Sequence, residues 1–296
     1  MDWKTEFQNW LEERGQSPNT IKGYMSDITA FVAWIAAEYD EQFSIAHITS
    51  RDLRSYRRYV LHDKKVAGAT WNRYRVALKN LCDYAYESGV LSQISFEGVD
   101  MVESSELAPR WLTKKEFGKF MRVVDRESGP KASEFIAFTS LRDRAMVYLM
   151  MFCGLRVDEV ASLDLKDIYF TDRKGTVRVL GKGEKEAKIP LNYEVRNQLH
   201  AYIGMRGFAN GPLFTAKGSE RCSVKTIQRV VSNFGKVAGM DDITPHRLRH
   251  TCAKRLLDAG VPVTTVQKVL RHSRLDTTAR YLLPSQEDIA EALEKL

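Results

Sequence analysis

The sequence has few cysteines and none of the cysteine spacings that are typical of metal sites. Its 296 residues include four cysteines, and no two of them form a C-x-x-C pair. This usage suits a reducing compartment, so we expect a cytoplasmic protein whose cysteines are buried apolar side chains and which holds no zinc. The chain has no apolar run near 18 residues, which argues against a membrane span, and residues 1–10 lack a signal-peptide core.

Charge is unevenly distributed along the chain. The net charge is +7, but residues 1–108 carry 12 Lys and Arg against 16 Asp and Glu, whereas residues 109–296 carry 33 against 22. A basic half favours a polyanionic partner such as nucleic acid. Many basic proteins bind no nucleic acid, so charge alone leaves the function open.

The N-terminal part of the sequence is predicted to be a helical domain, residues 1–97. Residues 17–20, Ser-Pro-Asn-Thr, form a helix start signal, and apolar residues recur after them at helical spacing. Residues 98–110 lack periodicity and are predicted to form a linker. Thr113 and Glu116 then form a predicted capping box at the start of a second domain.

That second domain, residues 111–283, is predicted to be mostly helical. Two short apolar runs, 177–180 and 187–191, flank the glycine-rich turn 181–185 and predict a β-hairpin. The predicted fold is therefore mainly α with a small antiparallel sheet, in two domains. Helices are predicted on both sides of Gly154 between 141 and 163, and at roughly 193–206, 223–238, 246–259, 262–271 and 275–282.

Basic residues cluster on predicted helices of the first domain. Between 51 and 79 there are nine basic and two acidic residues. A solvated charged face is the simple interpretation, but we favour contacts with DNA phosphates. The candidate DNA-binding residues are Arg51, Arg54, Arg58, Arg75 and Lys79.

The segment 245–281 contains side chains suited to phosphodiester chemistry. At helical spacing His246 and Arg249 share a face, His250 is adjacent and Arg247 points elsewhere. Arginine forks bind phosphate oxygens, a tyrosine oxygen can attack phosphorus, and histidine or lysine can move protons. His246 and His250 could bind zinc, but the glutamate of an H-E-x-x-H motif is missing.

The order of these residues resembles the tyrosine recombinase (phage integrase) family, and in particular its Xer-like members. The matching positions are Arg156 in Cys-Gly-Leu-Arg, Lys182 in Gly-Lys-Gly, His246 and Arg249 in His-x-x-Arg, His272, and Tyr281 nine positions later. Glu159 occupies a position that is commonly acidic in the family and supports the first arginine. Arg271 is a departure, because the family usually has glycine there. Taken singly, Arg156 could instead form only a surface salt bridge, and Lys182 could be an ordinary hairpin residue.

The resemblance implies a DNA recombinase whose two domains clamp the duplex. Tyr281 would form a 3′-phosphotyrosine, Arg156, Arg249 and His272 would stabilise the transition state, His246 would accept the tyrosine proton and Lys182 would protonate the 5′ oxygen. No metal, ATP or other cofactor is expected. The expected partners are inverted-repeat core sites in duplex DNA and further copies of the chain, which would be a monomer or weak dimer when free and a tetramer on DNA. Strand exchange would pass through a Holliday junction. The host would be prokaryotic or carry a mobile element.

Three alternatives stay open at the level of sequence. A type IB topoisomerase shares the chemistry, an inactive recombinase scaffold could act as a DNA-binding regulator, and a metal-dependent nuclease would need clustered carboxylates that are missing. Residues 284–296 are predicted to form a helix with apolar residues on one face. We expect that helix to dock on a neighbouring subunit, although docking on its own domain is the simpler alternative.

Overall fold

The computed structural model of the chain describes residues 2–39, 43–103, 110–126, 133–171, 173–180, 186–207, 210–216, 220–272, 275–282 and 293–294. Its packing divides the chain into two units, Met1–Glu106 and Leu107–Leu296, and each unit has its own hydrophobic core. Among the described helices, none combines the length and the apolar character that crossing a bilayer requires. Except for residues 293–294, the predicted C-terminal helix at 284–296 lies outside the described residues, as does the predicted hairpin turn with Lys182.

The first unit is built from helices. They are α1 (Trp3–Glu13), α2 (Pro18–Tyr39), α3 (Ser50–Arg58) and α4 (Gly68–Glu87), with a 3-10 helix at Ile45–His47 and a π-helical turn at Tyr59–Asp63 that continues α3.

Local capping signals set the starts of these helices. The Ser17 hydroxyl accepts a hydrogen bond from the backbone N–H of Thr20 at 3.2 Å, which confirms the predicted start of α2. Thr49 and Asp52 form a reciprocal capping box on α3. Apolar side chains on the inner faces of the helices then build the core, which includes Phe7, Leu11, Ile21, Ile28, Phe31, Leu53, Trp71 and Leu81.

The second unit is mainly helical and has a small sheet, so the predicted fold class is confirmed. The helices are α5 (Lys114–Val124), α6 (Glu134–Cys153), α7 (Val157–Ser162), α8 (Tyr193–Arg206), α9 (Val224–Val237), α10 (Pro245–Asp258), α11 (Val263–Leu270) and α12 (Asp276–Ala279), with 3-10 helices at Leu165–Asp167 and Arg280–Leu282. The capping box of Thr113 and Glu116 at the start of α5 is confirmed.

The sheet contains three antiparallel strands in the order β1 (Ile168–Phe170), β2 (Gly175–Leu180) and β3 (Glu186–Pro190). In register, Val177 of β2 lies opposite Ile189 of β3 and Ile168 of β1. The predicted hairpin corresponds to β2 and β3. The sequence analysis missed β1, because a strand of three residues carries too little alternation to be recognised.

Helix α6 lies at the centre of the second unit. Its residues 145–151 are all buried, and the helix packs against α8 and α10. A helix that is apolar on all faces needs neighbours on all faces, which explains why other helices surround it.

Gly154 ends α6 in the left-handed conformation, with φ +61°. A Cβ atom at this position would lie 2.7 Å from Leu270 at the end of α11. Glycine is favoured here because its φ is positive, and its lack of a Cβ also leaves room for the Leu270 side chain. The approach brings the Gly154 carbonyl next to α10, where the candidate catalytic residues lie.

Candidate active site

The first turn of α10 positions three of the candidate side chains. Thr244 caps the helix by accepting a hydrogen bond from the backbone N–H of Arg247 at 3.2 Å, and Pro245 occupies the first helical position. The Arg247 guanidinium turns away and pairs with Asp242 at 2.5 Å and Glu116 at 2.9 Å. Its predicted direction is thus confirmed, and the opposite face is left to His246, Arg249 and His250.

Arg249 is almost completely buried, with 2% of its surface exposed. Its two terminal nitrogens donate hydrogen bonds to the carbonyl oxygens of Gly154 and Leu270. Burial, together with the nearby charges of Arg156 and Arg271, lowers the pKa of Arg249 to about 10. The guanidinium stays charged at neutral pH, and its carbonyl contacts fix its position between the ends of α6 and α11.

Arg156 lies directly after the turn at Gly154 and caps α7. The Glu159 carboxylate accepts a hydrogen bond from the Arg156 backbone N–H at 2.7 Å and one from its guanidinium at 2.9 Å. Glu159 is buried, whereas 38% of the Arg156 side chain is exposed. The carboxylate therefore braces a guanidinium that still faces solvent, and Arg156 also donates to the Arg271 carbonyl at 3.3 Å.

Arg271 adds a third guanidinium to this cluster. Its Nη2 lies 2.6 Å from the Glu159 Oε2, and it also donates to the carbonyl oxygens of Val269 and Gly154. Burial alone would raise the pKa of Glu159, but Arg271 and Arg156 together hold that pKa below its ordinary value. Arg156 and Arg271 thus pair with one carboxylate, and Arg249 lies near enough to be influenced by its charge. Three guanidiniums and one carboxylate leave the cluster with a net positive charge.

His272 follows on the same turn. Its Nδ1 lies 2.8 Å from the Thr278 hydroxyl, and its backbone N–H donates to the Gln267 carbonyl at 3.1 Å. Burial and the charges of Arg249 and Arg156 lower the pKa of His272 to about 4. The ring is therefore neutral at pH 7, and it is stacked 6.3 Å from the ring of Tyr281.

Tyr281 lies in the 3-10 helix after α12 and is 2% exposed. Its ring packs in a small apolar cluster with Trp111, Ala253, Val266 and Leu270. Burial raises the pKa of Tyr281 to about 12, although Arg249 favours the phenolate. The phenol is thus protonated at neutral pH in this state.

The Tyr281 hydroxyl contacts His250, a residue for which the sequence predicted no role. Its Nδ1 lies 2.6 Å from the tyrosine hydroxyl, and burial with the nearby His246 and Arg249 lowers the pKa of His250 to about 4. The ring of His246 lies 4.7 Å from that of His250 and is exposed. One signal in the sequence could have identified His250, since it directly follows Arg249 in the His-x-x-Arg motif.

The structure thus brings together five of the six predicted catalytic positions: Arg156, His246, Arg249, His272 and Tyr281. Lys182 lies outside the described residues, in the segment between the end of β2 at Leu180 and the start of β3 at Glu186. Within the part of the chain that the structure describes, no group of His, Cys, Asp or Glu is placed to hold a metal ion.

The basic residues of the first unit divide into two groups. Arg51 and Arg58 on α3 are exposed. Arg54 and Arg75 instead donate to the carbonyl oxygens of Glu97 and Val99, at 3.4 and 2.5 Å, and Lys79 pairs with Asp83 at 2.9 Å. Arg54 and Arg75 therefore also have a structural role, because Val99 is fully buried and their contacts hold its segment against α3 and α4. The Lys79 pair lies within α4, and Arg54 and Lys79 are themselves exposed.

Comparison with known proteins identifies two family models in the chain. Residues 110–287 match the phage integrase family, and residues 5–89 match the phage integrase N-terminal SAM-like domain. The tyrosine recombinase XerC of Corynebacterium glutamicum is 32% identical over 284 residues, which cover 95% of this chain and 86% of the relative. XerA of Pyrococcus furiosus is 28% identical over 293 residues, covering 98% and 92%.

Solved structures show the same fold. The XerH site-specific recombinase in a post-cleavage complex with its palindromic difH substrate superposes with a TM-score of 0.76 at 22% identity, covering 97% of this chain and 84% of that one. A lambda integrase dimer bound to a COC′ core site gives 0.69 at 19% identity, covering 94% and 93%. On the family models and on the identity to XerC, the chain belongs to the phage integrase family.

Proposed function

We propose that this chain is a site-specific DNA recombinase that cleaves and rejoins duplex DNA through Tyr281. One observation carries the proposal: a buried tyrosine lies beside neutral histidines and a cluster of three arginines and one carboxylate, which has a net positive charge. Arg156 and Arg271 pair with Glu159, Arg249 lies near enough to be influenced by that charge, and His250 contacts the Tyr281 hydroxyl. An anionic group such as a phosphodiester would offset the excess charge.

The arginines would hold the scissile phosphate. Arg156 is partly exposed and can turn one edge of its guanidinium to a phosphate oxygen while Glu159 holds the other. Each terminal nitrogen of Arg249 carries a second N–H besides the one on a backbone carbonyl. Two guanidinium forks aimed at non-bridging oxygens would stabilise the charge that develops on the pentacoordinate phosphorus.

Tyr281 would act as the nucleophile. Its oxygen forms a bond to phosphorus, the bond from phosphorus to the 5′ oxygen breaks, and a 3′-phosphotyrosine results. The phosphotyrosine conserves the energy of the phosphodiester bond, so rejoining needs no ATP. Because the arginines supply the positive charge at phosphorus, the proposal includes no metal or other cofactor.

The remaining predicted residues have supporting roles in this proposal. Lys182, on the turn between β2 and β3, protonates the leaving 5′ oxygen. His272 is held by Thr278 through Nδ1, so its Nε2 would donate to the phosphate. His246 is exposed beside Arg249 and is also available to the phosphate.

The proposed substrate is duplex DNA with inverted-repeat core sites, held in a clamp formed by the two domains. The solved structures support this inference, since XerH was solved on a palindromic difH substrate and lambda integrase on a COC′ core site. Attack by the free 5′-hydroxyl of a second duplex would exchange strands through a Holliday junction, which requires a synaptic assembly that we propose to be a tetramer. The host would be prokaryotic or carry a mobile element, with the protein at its nucleoid.

Two alternatives share the scaffold and differ in outcome. A topoisomerase-like enzyme would religate the same strand, and an inactive regulator would bind DNA without forming an adduct. The XerC and XerA names of the relatives favour recombination over both.

Covalent capture on nicked duplexes tests the proposal. A library of randomised duplexes, each with a nick just 3′ of the candidate scissile phosphate, is incubated with the full chain in chelator, and adducts that survive denaturation are sequenced. The expected result is one enriched inverted-repeat sequence that then recombines between two plasmids. Relaxation without exchange would support the topoisomerase alternative, and an absence of adducts would contradict the proposed function.

A further inference from the structure

Tyr281 and His250 form a short contact between a candidate proton donor and a candidate acceptor. The tyrosine oxygen lies 2.6 Å from the His250 Nδ1, within the range of a strong O–H to nitrogen hydrogen bond. The predicted acceptor, His246, contacts the His250 ring, with 4.7 Å between the two ring centroids. His250 therefore contacts both the tyrosine hydroxyl and the first histidine of the family motif.

The direction of the hydrogen bond follows from the two protonation states. Burial raises the pKa of Tyr281 to about 12, so the phenol keeps its proton at pH 7. Burial with His246 and Arg249 lowers the pKa of His250 to about 4, so its imidazole is neutral. Tyr281 donates, and His250 accepts through Nδ1 with its own proton on Nε2.

We infer that His250 accepts the proton of Tyr281 as the tyrosine oxygen attacks phosphorus, and returns that proton when a 5′-hydroxyl reverses the step. This inference rests on the proposed function. In the forward direction the bond from oxygen to phosphorus forms, the O–H bond breaks, and His250 becomes an imidazolium. The 5′ oxygen leaves and gains a proton from a separate acid, so protons and charge balance over the step.

A bound phosphodiester would make His250 a better base. In the free chain His250 faces Arg249 and His246 on α10, His272 on the turn after α11 and Tyr281 on the 3-10 helix. Positive charge near an imidazole disfavours protonation, and a phosphate anion placed on the arginines would offset that charge. DNA binding therefore raises the proton affinity of His250 at the moment when the acceptor is needed.

The other two histidines are placed for different contacts. The Nδ1 of His272 is occupied by the Thr278 hydroxyl, and its ring stacks against Tyr281 rather than meeting the tyrosine hydroxyl. His246 is exposed in the free chain and can meet bound DNA directly, whereas His250 is half-buried. This arrangement favours His250 as the acceptor of the Tyr281 proton and His246 as a contact for the phosphate.

The test uses the full chain and the nicked duplex recovered by covalent capture. His250→Ala removes the acceptor, and His250→Asn keeps a side chain that can hydrogen-bond but cannot take a proton. Both variants are expected to form the adduct about 10²-fold or more slowly than the wild type, the usual effect of losing a general base. His200→Ala, which removes an exposed histidine beside Phe170, is the matched control and should match the wild type.

The dependence of the cleavage rate on pH and on the acidity of the Tyr281 phenol distinguishes loss of a base from loss of a structural contact. Without His250 the reactive species is the phenolate, so the rate should rise about tenfold for each pH unit, whereas the wild type should level off. Fluorinated tyrosines at position 281, whose phenols are more acidic, should recover cleavage in His250→Ala. They should not recover it in Lys182→Ala, whose proposed defect lies at the leaving oxygen.

Three outcomes would contradict the role of His250 as the proton acceptor. Cleavage by His250→Asn at the wild-type rate would show that the contact only positions the tyrosine, and faster cleavage by His250→Ala would show that it only holds the tyrosine in reserve. Either outcome, or equal fluorotyrosine effects in both backgrounds, overturns the inference. If His250→Ala melts early, His250→Asn carries the test. If the wild type forms no adduct, the proposed function itself fails.

Discussion

Arg271 and Glu159 form a buried ion pair, with 2.6 Å between Nη2 and Oε2 and only 11% and 6% of the side chains exposed. Arg271 adopts the left-handed conformation, at φ +55°, in which glycine is usually found. The strain of that conformation is offset by the ion pair and by the bonds to the Val269 and Gly154 carbonyls. A residue that departs from the pattern of the family has thus become part of the support for Arg156.

Replacement of Arg271 separates these two contributions. Arg271→Ala loses the ion pair and keeps the strain, whereas Arg271→Gly loses the pair and relieves the strain. We expect Arg271→Ala to lower the free energy of unfolding by about 2–4 kcal/mol, because Glu159 keeps Arg156 as a partner but loses its most buried one. Arg271→Gly should be more stable than Arg271→Ala by about 1 kcal/mol, measured by urea unfolding. Equal stabilities would contradict the role of the left-handed turn.

The same variants predict a dependence on pH. Because the pKa of Glu159 is lowered in the folded chain, its contribution to stability is present above the unfolded pKa and is lost as pH falls through the folded pKa. The stability difference between the wild type and Arg271→Gly should therefore shrink below about pH 4.3, the ordinary pKa of a glutamate. A difference that is constant across the acid range would show that the carboxylate is not the partner that matters.

Arg249→Lys tests whether the site needs the planar fork or only its charge. A lysine cannot bridge the carbonyl oxygens of Gly154 and Leu270 while also meeting a phosphate. We expect adduct formation to fall by on the order of 10²-fold or more, close to the loss in Arg249→Ala. The measurement is single-turnover cleavage at saturating enzyme, with DNA binding as the control. Near-normal cleavage by the lysine variant would reduce the role of Arg249 to its charge.

Lys182→Ala is expected to lose cleavage of ordinary DNA and to recover it when the scissile 5′ oxygen is replaced by sulfur. A thiolate leaves without help from an acid, so a missing proton donor no longer matters. Lys188→Ala on β3 is the matched control, because it removes a nearby ammonium outside the hairpin turn. Failure of sulfur to restore Lys182→Ala selectively would place the acid elsewhere.

The sequence predicted those features that depend on local periodicity. Helical spacing placed His246 and Arg249 on one face of α10 and turned Arg247 away, and the cap at Thr113 followed from its own four residues. The hydrogen bond of His250 to Tyr281 could not be predicted in this way. It joins residues 31 positions apart, and it depends on the apolar cluster that fixes the tyrosine ring.

Long-range contacts explain the other differences. The sequence predicts Arg54 and Arg75 only as candidates for contact with DNA phosphates, and it gives no sign that their guanidiniums donate to the carbonyl oxygens of Glu97 and Val99. An arginine has both a charge and five hydrogen-bond donors, and only the folded chain shows which of the two is used. The Arg271 contact is of the same kind, since it crosses from the end of α11 to α7.

The two groups of basic residues in the first unit should respond differently to alanine. Arg51→Ala and Arg58→Ala should each reduce the slope of log affinity against log salt by about one unit and leave the melting temperature unchanged. Arg75→Ala should instead cost about 1 kcal/mol of stability, because its bond to the Val99 carbonyl is lost. Lys22→Ala, an exposed residue on α2, is the control. If the slope of log affinity against log salt is unchanged in the Arg51 and Arg58 variants, the basic face of α3 is solvated and does not contact DNA.

The central claim is that the oxygen of Tyr281 becomes bonded to DNA. The most direct measurement is mass spectrometry of the adduct captured on the nicked duplex, after digestion of both protein and DNA, with Tyr281→Phe in parallel. We predict that a 3′-linked nucleotide is found on the peptide containing Tyr281, and that the phenylalanine variant binds the same duplex with similar affinity and forms no adduct. A nucleotide attached to any other side chain, or an adduct formed by Tyr281→Phe, would contradict the account.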